Sequence, residues 1–171
     1  MDEPIDQTAF LAAVESSRAF IGKIASLYSQ NSDERDDLVQ EIWYQLWKSY
    51  PGFEGRSATS TWIYRVALNV AIYHLKKKKR RIHTVSMDAL PDRIAELADP
   101  TEEEKWELLK QHVAQLNLFD QGLLILYLEN KSYQEIAAIT GISESNVGTK
   151  LSRIREKLKQ QIFKSTNHGT R

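Results

Sequence analysis

The chain has 171 residues, 42% of them hydrophobic, which rules out wholesale disorder and leaves room for one compact domain or two small ones. It contains no cysteine, so a disulfide framework, a thiolate metal site and a cysteine nucleophile are all excluded. The 23 basic and 23 acidic residues cancel overall but not locally. Residues 1–54 carry 4 basic and 10 acidic side chains, residues 55–85 carry 8 basic and none acidic, residues 86–109 carry 2 and 8, and residues 110–171 carry 9 and 5. Partners sense local fields over about 8–10 Å, so two cationic segments around an acidic one predict two polyanion contacts joined by a connector.

The N-terminal MDEPIDQTAF is acidic and lacks the basic start and apolar core of a signal peptide. No apolar run approaches a membrane span. A cytoplasmic protein without membrane insertion is therefore expected. Phe10, Val14, Ile21, Ile24 and Tyr28 recur at helical spacing and predict one first helix. Residues 31–33 break it and cap a second helix over 34–50. That helix is expected to bury the rows Leu38, Ile42, Leu46 and Val39, Trp43, Trp47, and to show Asp37, Glu41, Tyr44 and Lys48 outward. Pro51 and Gly52 stop it. After a loop over 53–60, Thr59 or Ser60 is expected to cap a third helix that buries Trp62, Ile63, Val66, Ala67 and Val70.

The third helix ends in the cationic run 76–81. Its outward positions, Arg65, Asn69, Tyr73, Lys76, Lys77 and Arg80, alternate cation, amide and aromatic groups. Cations neutralise phosphates, and aromatic rings and amides stack on or hydrogen-bond unpaired bases. Residues 84–104 hold Pro91, Pro100 and most of the second acidic block, and read as a linker. Folded back, that acidic stretch would mask the cationic helix. Helical pattern resumes over about 103–116 and 120–129, and no strand-like alternation of useful length occurs. The predicted fold class is all-α, with two small helical domains joined by a linker.

Near the C-terminus, Ser132 and Glu135 form a capping box before Ile136, Ala137 and Ile139. Gly141 suits a left-handed helix end, and Ser143 caps a second helix from Glu144. Helix, glycine turn and capped helix make a helix-turn-helix. Val147, Leu151, Ile154 and Leu158 fall on one face of the second helix. Ser145, Asn146, Thr149, Lys150 and Arg153 fall on the other, with Arg155 and Lys157 nearby. Short polar groups at a helix N-terminus reach base edges, while the later cations suit phosphates.

Catalysis finds no support in the sequence. His74, His83, His112 and His168 lack metalloprotease spacing, Asp36 and Asp37 point apart on a helix, and no glycine-rich phosphate loop exists. No enzyme activity, no cofactor and no metal are expected. A helix-turn-helix regulator that binds only duplex DNA is the alternative; it leaves the cationic N-terminal helix without a role.

Residues 37–42 (DLVQEI), residues 62–69 (WIYRVALN) and the cationic run together resemble region 2 of bacterial sigma factors. Residues 132–137 (SYQEIA), 141–143 (GIS) and 150–155 (KLSRIR) resemble region 4. The ordered pair at this length is similar to the extracytoplasmic-function (ECF) sigma factors, which bind core RNA polymerase and direct promoter-specific transcription initiation. The resemblance implies a region 2 domain over 1–83, an acidic linker over 84–104 and a region 4 domain over 105–171. It implies polymerase docking by Asp37, Gln40, Glu41 and Tyr44. Reading and melting of the minus-10 element, including the flipping of one non-template base into a pocket, would fall to Phe53, Arg56, Ser57, Arg65, Asn69, Tyr73, Lys76, Lys77 and Arg80. Recognition of the minus-35 element would fall to Ser132, Ser143, Ser145, Asn146, Thr149, Lys150, Arg153 and Arg155. Core polymerase and duplex and melted promoter DNA are the implied partners, and anti-sigma factors are common partners in the family. Two positions depart from the common pattern: Tyr73 stands where many members have an acidic residue, and Gly148 where many have lysine.

Overall fold

A computed structural model of the chain describes residues 7–82 and 101–168. Among the described residues the regular structure is all helical: α1 (Gln7–Ser16), α2 (Arg18–Leu27), α3 (Ser32–Ser49), a 3-10 turn (Tyr50–Gly52), α4 (Thr59–Ile82), α5 (Glu102–Val113), α6 (Leu118–Leu128), α7 (Tyr133–Thr140) and α8 (Glu144–His168). The all-α class is as the periodicity predicts. Most of the expected acidic linker, and with it the masking of α4, lies outside the described residues. Its last residues belong to a helix start. The Thr101 hydroxyl accepts from the Glu104 amide at 3.3 Å, and the Glu104 carboxylate takes the Thr101 amide at 2.7 Å, which opens α5 at Glu102.

The first predicted helix is two. Phe10, Val14, Ile21, Ile24 and Tyr28 are all buried, but the chain breaks at Ser17, whose hydroxyl donates to the Ala13 carbonyl at 2.9 Å. Side-chain competition for a backbone acceptor is how serine ends a turn of helix. The second helix starts at Ser32 because the Asn31 side chain accepts from the Glu34 amide at 2.9 Å. In it, Leu38, Ile42 and Leu46 are fully buried. Trp47 is not: it is 59% exposed, against expectation, and only its Phe10 side is covered, with ring centroids 6.2 Å apart. The reason is that α1 is short and ends at Ser16, so it covers one edge of that row.

In α4 the backbone carbonyl of Ala58 accepts the first helical bond, from the Trp62 amide at 3.1 Å. Thr59 and Ser60 therefore lie inside the first turn and do not cap it. Ile63 and Ala67 are fully buried, while Trp62, Val66 and Val70 are half-buried. Leu68 and Ala71 are also buried, on a side of α4 that the first three helices do not need.

The second half of the chain covers that side. Residues 121–126 of α6 are buried without interruption, because α6 packs against α7 and α8 and also against α4, while Lys23 of α2 pairs with Glu129 at its end. A helix apolar all round is one that is enclosed. The Tyr28 hydroxyl donates to the Leu118 carbonyl, and burial pushes its phenol well above the usual tyrosine range. Trp106 Nε1 donates to Ser26 Oγ at 3.3 Å, and Lys131 sits 4.8 Å over the Tyr64 ring, which itself stacks on Phe20 at 4.0 Å. The two halves thus share one continuous core.

Candidate nucleic-acid interface

Helical spacing puts Arg65, Asn69, Tyr73, Lys76, Lys77 and Arg80 on the open side of α4, and all six are exposed. Tyr73 is 66% exposed, a large value for an aromatic ring with no packing role. Lys78 is the exception in the cationic run: it turns back to α3, where it meets Glu34 and, at 2.9 Å, Gln30. That hydrogen bond holds the Glu34 carboxyl below its ordinary range.

At the N-terminal end of α4 the preceding loop forms an open cleft of about 260 Å³ lined by Phe53, Glu54, Arg56, Ser57, Trp62 and Arg65. Phe53 packs on Trp62 with centroids 5.0 Å apart, and Tyr50 lies tilted against Phe10 at 4.0 Å. The loop turns at Gly55, whose φ of 67° is left-handed. Arg56 is exposed and pairs with Glu54. The cleft therefore has an aromatic floor and a rim that carries Arg65 and the Arg56–Glu54 ion pair. Arg65 also reaches across to the second half: its guanidinium donates to the Ala138 carbonyl and, at 3.3 Å, to the Ile139 carbonyl. The sequence gives no sign of that second attachment.

The helix-turn-helix is built as its caps predict. The Ser132 amide donates to the Glu135 carboxylate at 2.8 Å and the Glu135 amide to the Ser132 hydroxyl at 3.1 Å. Those bonds hold the Glu135 carboxyl below its ordinary range. Gly141 has φ 78° and closes α7 through the Ala137 carbonyl at 2.8 Å. Ser143 Oγ accepts from the Asn146 amide at 3.2 Å. Val147, Leu151 and Ile154 are buried and Leu158 packs at the edge. Ser145, Asn146, Thr149 and Arg153 are exposed. Lys150 and Arg155 turn sideways towards α6: Lys150 lies 3.4 Å from Asp120 and 5.5 Å over the Phe119 ring, and Arg155 sits 4.6 Å over the Tyr127 ring. Gly148 lies beside the Tyr133 ring, where an added Cβ would make only ordinary van der Waals contact, so the packing does not explain the glycine. Ser132 starts α7, at the other end of that helix from Ser143.

On α3, Asp37, Gln40, Glu41 and Tyr44 are exposed. Trp47 continues the same helical row, and the sequence reading missed it by counting it into the core. Leu11 on α1, 60% exposed, was also not singled out. Among the described residues no group of three or more His, Asp or Glu side chains could hold a metal ion, and no helix is long and apolar enough to cross a membrane.

An exposed cation, amide and aromatic stripe with an aromatic cleft, in one chain with a helix-turn-helix, defines a two-module helical DNA-binding protein. Comparison with known proteins narrows this. The family profile described as Sigma-70 region 2 matches residues 13–81, and that described as Sigma-70, region 4 matches residues 113–158. The ECF RNA polymerase sigma-E factor of Escherichia coli is 27% identical over 169 residues, covering 92% of this chain and 88% of that protein. The ECF sigma factor SigW of Bacillus subtilis is 25% identical, covering 92% and 90%. The fold is similar to that of the sigma factor RpoE of Bartonella quintana, solved with the anti-sigma factor NepR: TM-score 0.66, 20% identity, 91% of this chain and 95% of that one. It is likewise similar to CnrH solved with the cytosolic domain of CnrY: TM-score 0.67, 18% identity, 92% and 89%. The chain belongs to the sigma-70 family of RNA polymerase sigma factors, in its ECF group.

Proposed function

We infer that this sigma factor joins core RNA polymerase and starts transcription at its own promoters through three surfaces. The observation that carries the reading is the α4 face, where a cleft with an aromatic floor adjoins exposed Arg65, Asn69, Tyr73, Lys76, Lys77 and Arg80. Duplex DNA does not need exposed aromatic groups on a cationic helix, whereas an unpaired strand does. Phe53, Arg56, Ser57 and Trp62 form the cleft for one extruded base, whose unstacking costs a few kcal/mol and is offset by a preformed site. Tyr73 stacks on the melted strand and the lysines take its phosphates.

The second surface is α8. Ser145, Asn146 and Thr149 lie near its N-terminus and reach base edges of the minus-35 element, while Arg153 takes phosphate. Ser132 and Ser143 hold the helix ends and offer backbone and hydroxyl groups to the DNA backbone. Lys150 and Arg155 join them only on leaving Asp120 and Tyr127. The third surface is the acidic row Asp37, Gln40, Glu41 and Tyr44, extended by Trp47, which docks on polymerase. An exposed tryptophan in a charged row is the usual anchor of a protein interface.

Region 2 occupies about residues 1–83 and region 4 about 105–171, with the acidic stretch as the tether. The chain contributes no catalytic group; bond formation belongs to polymerase, and the site of action is the cytoplasm. One solved relative was captured with the anti-sigma factor NepR and the other with the cytosolic domain of CnrY, and an anti-sigma partner is proposed here. Run-off transcription with core polymerase over a library of promoter sequences tests the reading. Initiation at a defined subset is expected. Failure to join polymerase, or initiation without sequence preference, refutes it.

A further inference from the structure

We propose that Glu34 is a positioning residue for DNA binding: through Lys78 it fixes the end of α4, so that Lys76, Lys77 and Arg80 meet the promoter in one orientation. The inference rests on the reading of the chain as a sigma factor. Residues 76–81 are all cationic, and all are exposed except Lys78, which is half-buried. Helical spacing explains the difference. Ile63, Ala67 and Ala71 form a buried row of α4, and Lys78 stands seven residues after Ala71 on the same face. Lys76 and Arg80 stand on the opposite face.

The end of α4 has little core to rest on. From residue 72 to residue 81 no side chain is buried, and Ile72, His74 and Leu75 are only half-buried. Packing of an apolar face supplies most of the stability of a helix in a protein, and like charges three and four residues apart oppose it. The last turns of α4 thus combine little buried surface with self-repulsion. Cations on a loose segment lose conformational freedom on meeting phosphate, which weakens binding.

Glu34 answers both deficits. Its carboxylate accepts from Lys78 Nζ and, at 3.0 Å, from the Gln30 amide. Its own amide is held by the Asn31 side chain at 2.9 Å. Lys78 Nζ donates to Gln30 Oε1 as well, at 2.9 Å. Lys78 therefore docks on an acceptor site already fixed to the turn before α3. The two side chains are mostly covered, at 21% and 27% exposed, so water and salt screen the pair less than an open surface pair. Glu34 precedes Asp37 and Glu41 on α3 by three and seven residues, on their side of the helix. The helix that carries the polymerase row is thus the one that holds the cationic end of α4. Lys78 is withheld from phosphate, and its neighbours are aimed.

The sign of one substitution separates positioning from direct contact. Glu34→Gln frees Lys78 and removes a negative charge beside the cationic run, so electrostatics alone would tighten DNA binding. Positioning requires weaker binding. The test measures holoenzyme affinity for promoter DNA well below the Tm of each variant, where a loss of stability alone leaves affinity unmoved. Glu34→Gln and Lys78→Gln are each expected to bind about five- to tenfold more weakly at about 0.1 M salt, the worth of one phosphate contact. Lys78→Arg keeps the tie and binds as the parent does. Glu34→Lys weakens binding although it makes the chain more positive, and Glu34→Lys with Lys78→Glu, which has the net charge of the parent, recovers it. Unchanged or tighter binding by Glu34→Gln overturns the proposal. So does a helical charge-swapped variant that fails to recover, and so does a failure of Glu34→Gln to join core polymerase, which would put Glu34 in the docking row instead. Should the charge-swapped variant lose helical circular dichroism, Glu34→Gln against Lys78→Arg decides. Run-off transcription keeps the two readings apart: a parent that initiates while the sign test fails loses only the positioning role, whereas a parent that never initiates removes the function itself.

Discussion

Gly148→Ala is expected to stabilise the protein. Gly148 lies within α8 and is not among the glycines with positive φ, so its backbone makes no demand that alanine cannot meet. The added Cβ would lie 3.4 Å from Tyr133 Cε2 and 3.7 Å from Cδ2, ordinary van der Waals contact with the face of a ring on α7. Helix propensity favours alanine by about 1 kcal/mol, and the new ring contacts add a few tenths. The sum, about 1 kcal/mol, corresponds to a rise of about 2–4 °C in Tm for a chain of this size. Thermal unfolding followed by circular dichroism checks it, with run-off transcription unchanged because the methyl group faces α7 and not the DNA side. A lower Tm would show that the Tyr133 ring has no room to accept the Cβ and would refute the reasoning. Gly148→Lys, the common residue of the family, extends the same series: its stem must pass the Tyr133 edge, so its gain is expected to be smaller than that of alanine.

Further outcomes follow from single contacts. Lys76→Gln with Lys77→Gln should lower the slope of log affinity against log salt by about 1.4–1.8, two phosphate contacts' worth, in a titration of the holoenzyme on promoter DNA; an unchanged slope would place these lysines off the DNA. Gly141→Ala should cost about 1–2 kcal/mol, because φ 78° is strained for a residue with a Cβ, and should show as a lower midpoint in urea. Glu34 has its carboxyl held below the ordinary range chiefly by the hydrogen bond from Lys78. Its contribution to stability is therefore complete above the unfolded carboxylate range and is lost as pH falls through the folded value. Glu34→Gln should flatten the acid side of a stability-against-pH curve and leave the neutral side merely lowered; an identical acid limb in parent and variant would reject the pairing.

Local chemistry was legible in the sequence wherever one segment decides its own structure. The capping box at Ser132 and Glu135, the left-handed Gly141 and the Ser143 cap are all short-range devices, and each forms the bonds its residue types allow. The buried row Leu38, Ile42, Leu46 followed from period alone. Where the reading failed, competition decided. Ser17 looked like one more polar position in a helix, yet its hydroxyl takes the Ala13 carbonyl and divides α1 from α2. Trp47 looked like core because tryptophan is large and apolar. Burial needs a covering element, and α1 ends too soon to supply it.

The candidate site divides the same way. Periodicity identified the outward stripe of α4, because which side of a helix is open depends mostly on its own apolar row. It could not identify Leu68 as buried, since the cover comes from Gly122 on a helix 54 residues away in sequence. Nor could it find that Arg65 serves two ends. A cation on an open stripe reads as a phosphate ligand, and only the tertiary packing reveals the carbonyls of Ala138 and Ile139 within its reach. Lys150 and Arg155 follow the same logic on the other half, where Asp120 and the Tyr127 ring hold them sideways. The chain's net charge of zero therefore conceals a division of labour. Asn69, Tyr73, Lys76 and Lys77 stand open to solvent, while Arg65, Lys150 and Arg155 are occupied by protein groups. Of these cations Arg65 is held across the two halves, whereas Lys150 and Arg155 are held by α6 within their own half, so what withholds each cation is decided by a different packing contact.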